Sequence, residues 1–334
     1  MRAVYIEAKE RTVVRRAEVP VPGPGEVRLR VEYVGICGSD LHYYFEGANG
    51  EFVVREPLIP GHELSGRVDL DPGGLLAQGT AVTVHPARFG TPVEAYADEP
   101  HLWAGGSYLG SASTWPHTQG SMAEYLVVER EMVRVLPEGL PVRRAVLAEP
   151  LAVALHGVSK AGDLAGARVL VTGSGPIGLL SVAAARAAGA AEIASTDVLP
   201  GPLERAAAQG ADRTVDVSRE PVPENAFDVV LECSGVPASI SAALTAARPA
   251  GTVVQVGMVP NETRPVNLAP FIAKELRFFG TFRFKDEIGA AVQLLAERPE
   301  IEQVITHEFT VDDPAAAFAA ARDSQASGKV IVAL

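Results

Sequence analysis

Residues 169–180, "VLVTGSGPIGLL", join an apolar run to an Ala-rich run through Gly173, Gly175 and Gly178, in the G-x-G-x-x-G spacing. Alone, that spacing is common. Here it follows a strand pattern, opens a helix pattern, and precedes Asp197 at the end of the next apolar run, "AEIASTD". Gly173 permits the tight turn, Gly175 lets the backbone approach a pyrophosphate, and Gly178 allows close helix–strand packing. The helix N-terminus presents unpaired N–H groups and a positive dipole end to phosphate. Pro176 and Ile177 complete the turn, and Asp197 would accept hydrogen bonds from the ribose hydroxyls. A carboxylate there repels a 2′-phosphate, and the following "VLPGPL" carries no cation, with Arg205 a full helical turn or two away. NAD is therefore expected rather than NADP. The competing reading is a glycine-rich turn without a ligand.

The same texture continues on both sides. "PLERAAAQGAD" reads as a helix, and "FDVVLECSG" and "GTVVQVGM" as further apolar strands. Near-continuous Val, Ile and Leu runs between helices signal a parallel sheet covered on both faces. Upstream, "AEPLAVALHGVSKAG" reads as a helix. The N-terminal third instead shows short alternating strands, "EVRLRVEYVG", "GTAVTVHP" and "MAEYLVVE", punctuated by Gly and Pro. That pattern predicts a compact β-rich unit. From His85 to about Thr118 no period is sustained, and an irregular stretch of that length is usually functional, a lid or an interface. After Arg283 come a helix, "FKDEIGAAVQLLAER", short strands and a last helix.

A chain of 334 residues is expected to form about two domains. Its net charge of -12 argues against nucleic acid or an anionic membrane as partner. The opening "MRAVYIEAKERT" has no apolar core of signal-peptide type, and no run approaches transmembrane length. Cys37 and Cys233 are too few for a disulfide framework. A reducing cytoplasm is the expected location.

Residues 35–44, "GICGSDLHYY", concentrate a thiol, a hydroxyl, a carboxylate, an imidazole and two phenols directly after a strand, and "PGHELSG" follows with His62 beside Glu63. Zinc takes thiolate, imidazole and carboxylate in a tetrahedral shell, and a catalytic site leaves one position open. Cys37, His62 and Glu63 are suitable ligands, and Glu149 is a further candidate. Singly, each has a plainer reading: a buried Cys, a solvated loop His or Glu, or an acid at a helix N-terminus.

Taken together, "GICGSDLHYY", "PGHELSG", "AEPLAVALHG", the GSGPIG turn and "GTFRF" occur in one order. In that order the chain resembles, over essentially its whole length, the zinc-dependent medium-chain dehydrogenases, in their polyol and sugar-acid branch. The resemblance implies an α/β Rossmann cofactor domain over 151–283 and a β-rich GroES-like catalytic domain over 1–150 and 284–334. It implies zinc on Cys37, His62 and Glu63, with Glu149 ligating directly or orienting the water. Asp40 would hydrogen-bond to His62. Ser39 and His42 would relay the proton, and Tyr43 and Arg283 match substrate positions, although Tyr43 could simply pack and Arg283 could bridge to cofactor phosphate. Relatives often carry a second zinc on four cysteines, but this chain has no cysteine between Cys37 and Cys233. One zinc per chain is expected, with the lobe after "AVTVHP" either held by packing, of Trp103 and Tyr108, or more mobile.

The activity implied is oxidation of a secondary alcohol of a sugar acid or polyol to a ketone by NAD, with L-idonate to 5-keto-D-gluconate the leading candidate. Sorbitol, xylitol and L-threonine are the alternative substrates, and a homo-oligomer, dimer or tetramer, is implied. Two other classes compete. A zinc-free reductase would not use Cys37, His62 and Glu63 together. A non-catalytic NAD or zinc sensor would need no relay of Ser39 and His42.

Overall fold

The computed structural model describes residues 1–334, and contacts within it divide them into two units. One comprises Met1–Glu149, Ile288–Asp323 and Lys329–Leu334, and the other Pro150–Glu287 and Ser324–Gly328.

The first unit is built on a seven-stranded sheet in the order Val133–Val135, Ala81–Val84, Glu63–Leu70, Glu26–Gly35, Lys329–Ala333, Ile305–Thr310, with Tyr125–Glu129 also paired to Glu26–Gly35. Along Glu26–Gly35 the apolar residues Val27, Leu29 and Val31 point inward while Arg28, Arg30 and Glu32 reach solvent. The period of two thus places one face on the core, where Leu64, Val68, Val82, Met122 and Phe318 meet it. At the end of this strand Gly35 stands in register with Glu63 on one neighbour and with Ile331 on the other. Segments more than two hundred residues apart therefore meet at one glycine.

A nine-residue helix, Gly38–Glu46, follows almost immediately. No apolar period in residues 38–46 marks a helix. It forms because Asp40, at the third helical position, turns Oδ2 back to accept from the backbone N–H of Cys37 at 2.9 Å, satisfying a donor that a helix start leaves unpaired. It stops at Gly47, whose φ of 75° is the left-handed value of a helix C-terminus.

The second unit carries a six-stranded parallel sheet in the order Arg213–Asp216, Glu192–Asp197, Arg168–Thr172, Phe227–Glu232, Ala247–Gln255, Arg277–Gly280. Val169, Leu170 and Val171 are fully buried on both faces of its centre, as the continuous apolar runs predict. The order reverses between Arg168–Thr172 and Phe227–Glu232, and in such sheets the crevice beyond the strand ends at the reversal takes the ligand. The outer strands Arg213–Asp216 and Arg277–Gly280 are absent from the sequence reading, because four residues each are too few to show a period. No helix is long and apolar enough to cross a membrane.

Candidate active site

Cys37 precedes the helix Gly38–Glu46, His62 precedes the strand Glu63–Leu70, and Glu63 opens it. One ligand atom from each of these three side chains lies within 4.8 Å of the other two. Asp40 holds the two segments together. Its Oδ1 accepts from the backbone N–H of Gly61 at 3.0 Å and its Oδ2 from that of Cys37 at 2.9 Å. The side-chain bond to His62 expected from sequence is thus replaced by two backbone bonds, because the third helical position faces its own helix start. Asp40 acts on the His62 ring through charge instead. Burial disfavours the charged ring, but the neighbouring Cys37, Asp40 and Glu149 outweigh it and push His62 up to about 10.

Glu63 is 1% exposed, and its two oxygens are treated differently. Oε1 accepts from the Lys329 ammonium at 2.6 Å, while the buried Oε2 has no hydrogen-bond partner. Gly35 makes room for this, since a Cβ there would overlap Glu63 Oε2. A thiol, an imidazole and an unpartnered buried carboxylate oxygen, in a pocket with excess negative charge, are the donors zinc takes. The residues present fit that ion.

Glu149 lies near the start of the helix Ala148–Ala161 and is buried, which raises its pKa above the ordinary carboxylate value. It stands outside the three-atom cluster, and its Oε1 accepts from the Tyr108 hydroxyl at 2.6 Å. The Tyr108 ring meets His62 edge-on, with centroids 5.3 Å apart. Ser39 is half-buried on the helix beginning at Gly38, and the exposed His42 lies three residues on, with Nδ1 3.1 Å from Glu46 Oε1. Tyr43 is 2% exposed, and its hydroxyl accepts from the backbone N–H of Ala112 at 3.1 Å and lies 3.3 Å from Ser111 Oγ. That is the packing arrangement, with the phenol committed to the core.

In the second unit the turn after Arg168–Thr172 has Gly173 at φ 83°, and a Cβ on Gly178 would overlap the carbonyl oxygen of Gly173. A Cβ on Gly175 would meet nothing of the chain. The helix Pro176–Ala187 begins there with Pro176 in its first turn, followed by Ile177. Asp197 closes the strand beside it. Its Oδ2 accepts from the N–H of Ser174 at 2.9 Å, and its Oδ1 from those of Val198 and Leu199 at 2.8 and 3.1 Å. The Arg205 guanidinium donates to the carbonyls of Ser324, Gln325 and Ala326. Arg283, with φ 53°, follows the strand Arg277–Gly280 and stacks its guanidinium on the Phe282 ring at 4.8 Å.

Residues 23–138 match the GroES-like domain of alcohol dehydrogenases, and residues 176–297 match the zinc-binding dehydrogenase family. Sorbitol dehydrogenase of Gallus gallus is 36% identical over 317 residues, covering 90% of this chain and 87% of that one. The chain belongs to the zinc-binding medium-chain dehydrogenases. Within the family, L-idonate 5-dehydrogenase (NAD(P)(+)) of Escherichia coli K12 is 37% identical over 268 residues, 78% of each chain. The crystal structure of L-idonate 5-dehydrogenase from Escherichia coli K-12 superposes with a TM-score of 0.93 at 32% identity, covering 100% of this chain and 98% of that one.

Two residues at the cluster were not assigned to it from sequence. Lys329 sits in the C-terminal strand Lys329–Ala333, which lies between Glu26–Gly35 and Ile305–Thr310 and whose apolar run "KVIVAL" signals only burial. Tyr108 was expected to pack the lobe after Ala81–Val84, but its hydroxyl is spent on Glu149. The lobe itself is closed by the two-residue strand pair of Ala87–Arg88 with Ser107–Tyr108, by Thr91 N–H donating to Ala104 at 3.0 Å, and by Trp103. The Trp103 indole donates to the Tyr96 carbonyl at 3.2 Å and meets Phe89 edge-on.

Proposed function

We propose that this dehydrogenase oxidises a secondary alcohol of a sugar acid or polyol to the ketone with NAD, using one zinc ion per chain held by Cys37, His62 and Glu63. The observation that carries the zinc assignment is the convergence of three donor atoms within 4.8 Å, one of them a buried carboxylate oxygen without a partner. Zinc supplies positive charge that makes an oxygen acid ionise many units below its value in water. Cys37, His62 and Glu63 keep that charge fixed in a buried pocket, and Asp40 keeps their backbones in place. Ser39 takes up the proton of the substrate hydroxyl and passes it toward His42, which is exposed and can release it to water. NAD, which the turn of Gly173, Gly175 and Gly178 and the carboxylate of Asp197 would hold, would supply the two-electron acceptor for the hydride that the alcohol carbon gives up.

NAD rather than NADP is supported by Asp197, a carboxylate at the ribose end of the turn, and by Arg205, the nearest helical cation, being engaged by three carbonyls. L-idonate is the substrate we favour, because likeness to L-idonate 5-dehydrogenase extends over the whole chain. Sorbitol is the second reading, favoured by the sorbitol dehydrogenase similarity over 90% of the chain. We also propose a homo-oligomer through the second unit. The strand Arg277–Gly280 is paired on one side only, all four residues are exposed, and Phe278 and Phe279 stand on it; such an edge invites pairing with a second copy.

The deciding experiment is a panel of L-idonate, sorbitol, xylitol and L-threonine with NAD and NADP in parallel, and 5-keto-D-gluconate with NADH in reverse. L-idonate should show the highest kcat/KM; a higher value for sorbitol would select the second reading. Ser39→Ala should slow turnover on the order of 10²–10⁴-fold with metal content unchanged. Turnover at the full rate after zinc is removed would overturn the zinc assignment.

A further inference from the structure

Lys329 and Glu63 form an ion pair at 2.6 Å with side chains only 3% and 1% exposed. The sheet explains how they meet. Gly35 is in register with Glu63 on one side and Ile331 on the other, so those side chains share a face, and Lys329, two residues before Ile331, shares it too. Gly35 contributes no side chain between them. The Lys329 ammonium is also fixed from behind, since it donates to the Ile36 carbonyl at 3.0 Å, the residue next to Cys37.

Desolvating an ion pair this completely rarely adds stability, and replacing one with apolar side chains is often neutral or better. A second consequence of its geometry is more specific. A carboxylate can bind zinc through one oxygen or both. Both together would add a fifth neighbour to an ion that already holds a thiolate, an imidazole, one carboxylate oxygen and a water or substrate oxygen, crowding the position substrate needs. Lys329 occupies Oε1, and only Oε2 is left without a partner.

We infer that Lys329 is a positioning residue that restricts Glu63 to a single ligating oxygen and so keeps one zinc position open for substrate. This rests on the zinc reading above. A merely structural ion pair would leave the number of oxygens Glu63 gives to the metal unchanged when Lys329 is replaced.

The test uses the full chain loaded with Co²⁺ in place of zinc, with metal content measured alongside. Wild type should give the intense visible d–d bands of a four-coordinate ion. Lys329→Met should keep its metal but lose d–d intensity several-fold as the second oxygen binds, and Lys329→Arg, whose guanidinium can still hold Oε1, should restore the wild-type spectrum. Unchanged bands in metal-replete Lys329→Met would overturn the inference. X-ray absorption of the wild-type zinc form needs no variant: one carboxylate oxygen in a four-coordinate shell is expected, and a fifth near neighbour from a chelating carboxylate would overturn it even if Lys329→Met did not fold. Failure of wild type to bind zinc or Co²⁺ at all would instead count against the zinc reading itself.

Discussion

Asp40 joins Cys37 to Gly61 through one buried carboxylate, accepting a backbone N–H from each at 2.9 and 3.0 Å. The two donors precede or belong to cluster residues on different elements, so the distance between thiol and imidazole depends on this one side chain. Asp40→Ala removes both bonds and the negative charge beside His62. Supporting residues of this kind typically cost 10–100-fold in metal affinity when lost. Competition with a chromophoric chelator should show a loss of that order for Asp40→Ala. Asp40→Asn, which keeps one accepting oxygen, should fall between it and wild type.

The two cysteines should differ sharply in reactivity. Cys233 is pushed up to about 12, mainly by burial, with Glu232 adding to the effect and Ser181 opposing it. At pH 8 its thiolate fraction is then about 10⁻⁴, and the thiolate is the nucleophile. Iodoacetamide should therefore modify the chelator-treated protein at Cys37 while Cys233 lags far behind. Added zinc should protect Cys37. Peptide mapping by mass spectrometry reads the site, and rapid labelling of Cys233 would show that its surroundings are more open than the structure has them.

Asp197 is expected to set nucleotide choice. Removing a charged acceptor of ribose hydrogen bonds costs about 1.5–3 kcal/mol, or roughly 10–100-fold in kcat/KM for NAD. Asp197→Ala should show that loss, while kcat/KM for NADP stays level or rises because the repulsion of the 2′-phosphate is gone. The ratio of the two values is the quantity to follow. Since Ser174 N–H also loses its acceptor in this variant, Asp197→Asn, which retains an accepting oxygen without the charge, separates repulsion from loop support.

What the sequence makes legible follows contiguity. The glycine turn, its helix and Asp197 lie within one β–α–β unit, and the donors Cys37, His62 and Glu63 lie within one strand–helix–strand passage, so type and spacing make them candidates and the resemblance to the dehydrogenases joins them into a set. Asp40 is visible as a partner but not in its direction, because the helix that aims it at Cys37 N–H has no apolar period to announce it. Lys329 is invisible for a different reason. It meets Glu63 across 266 positions, and only the sheet register at Gly35 brings them together. Tyr108 is similarly hidden, since nothing local distinguishes a phenol that packs a lobe from one that binds Glu149. The short outer strands of the parallel sheet lack the length to show a pattern at all.

Glu287 provides a pH test in the second unit that is independent of the zinc cluster. Its Oε1 lies 2.7 Å from His156 Nδ1 and its Oε2 accepts the N–H groups of Lys285 and Asp286. Burial opposes the charged carboxylate, but these bonds to His156 and the backbone prevail and lower it to about 2. A depressed folded-state value means the carboxylate contributes stability above its unfolded value of about 4.3. That contribution fades as pH falls from there toward 2. Glu287→Gln should therefore lower the thermal midpoint at pH 7 by a few degrees, consistent with roughly 1 kcal/mol for a partly solvated charged bond. The gap between wild type and variant should narrow as the pH is lowered through 4 toward 3, because the unfolded wild-type chain takes up a proton on this carboxyl over that range while the folded one, with its value near 2, stays charged. Scanning calorimetry of both proteins over that range reads the effect. A gap that stays constant with pH would mean that packing around the side chain, rather than its charge, holds this corner of the unit.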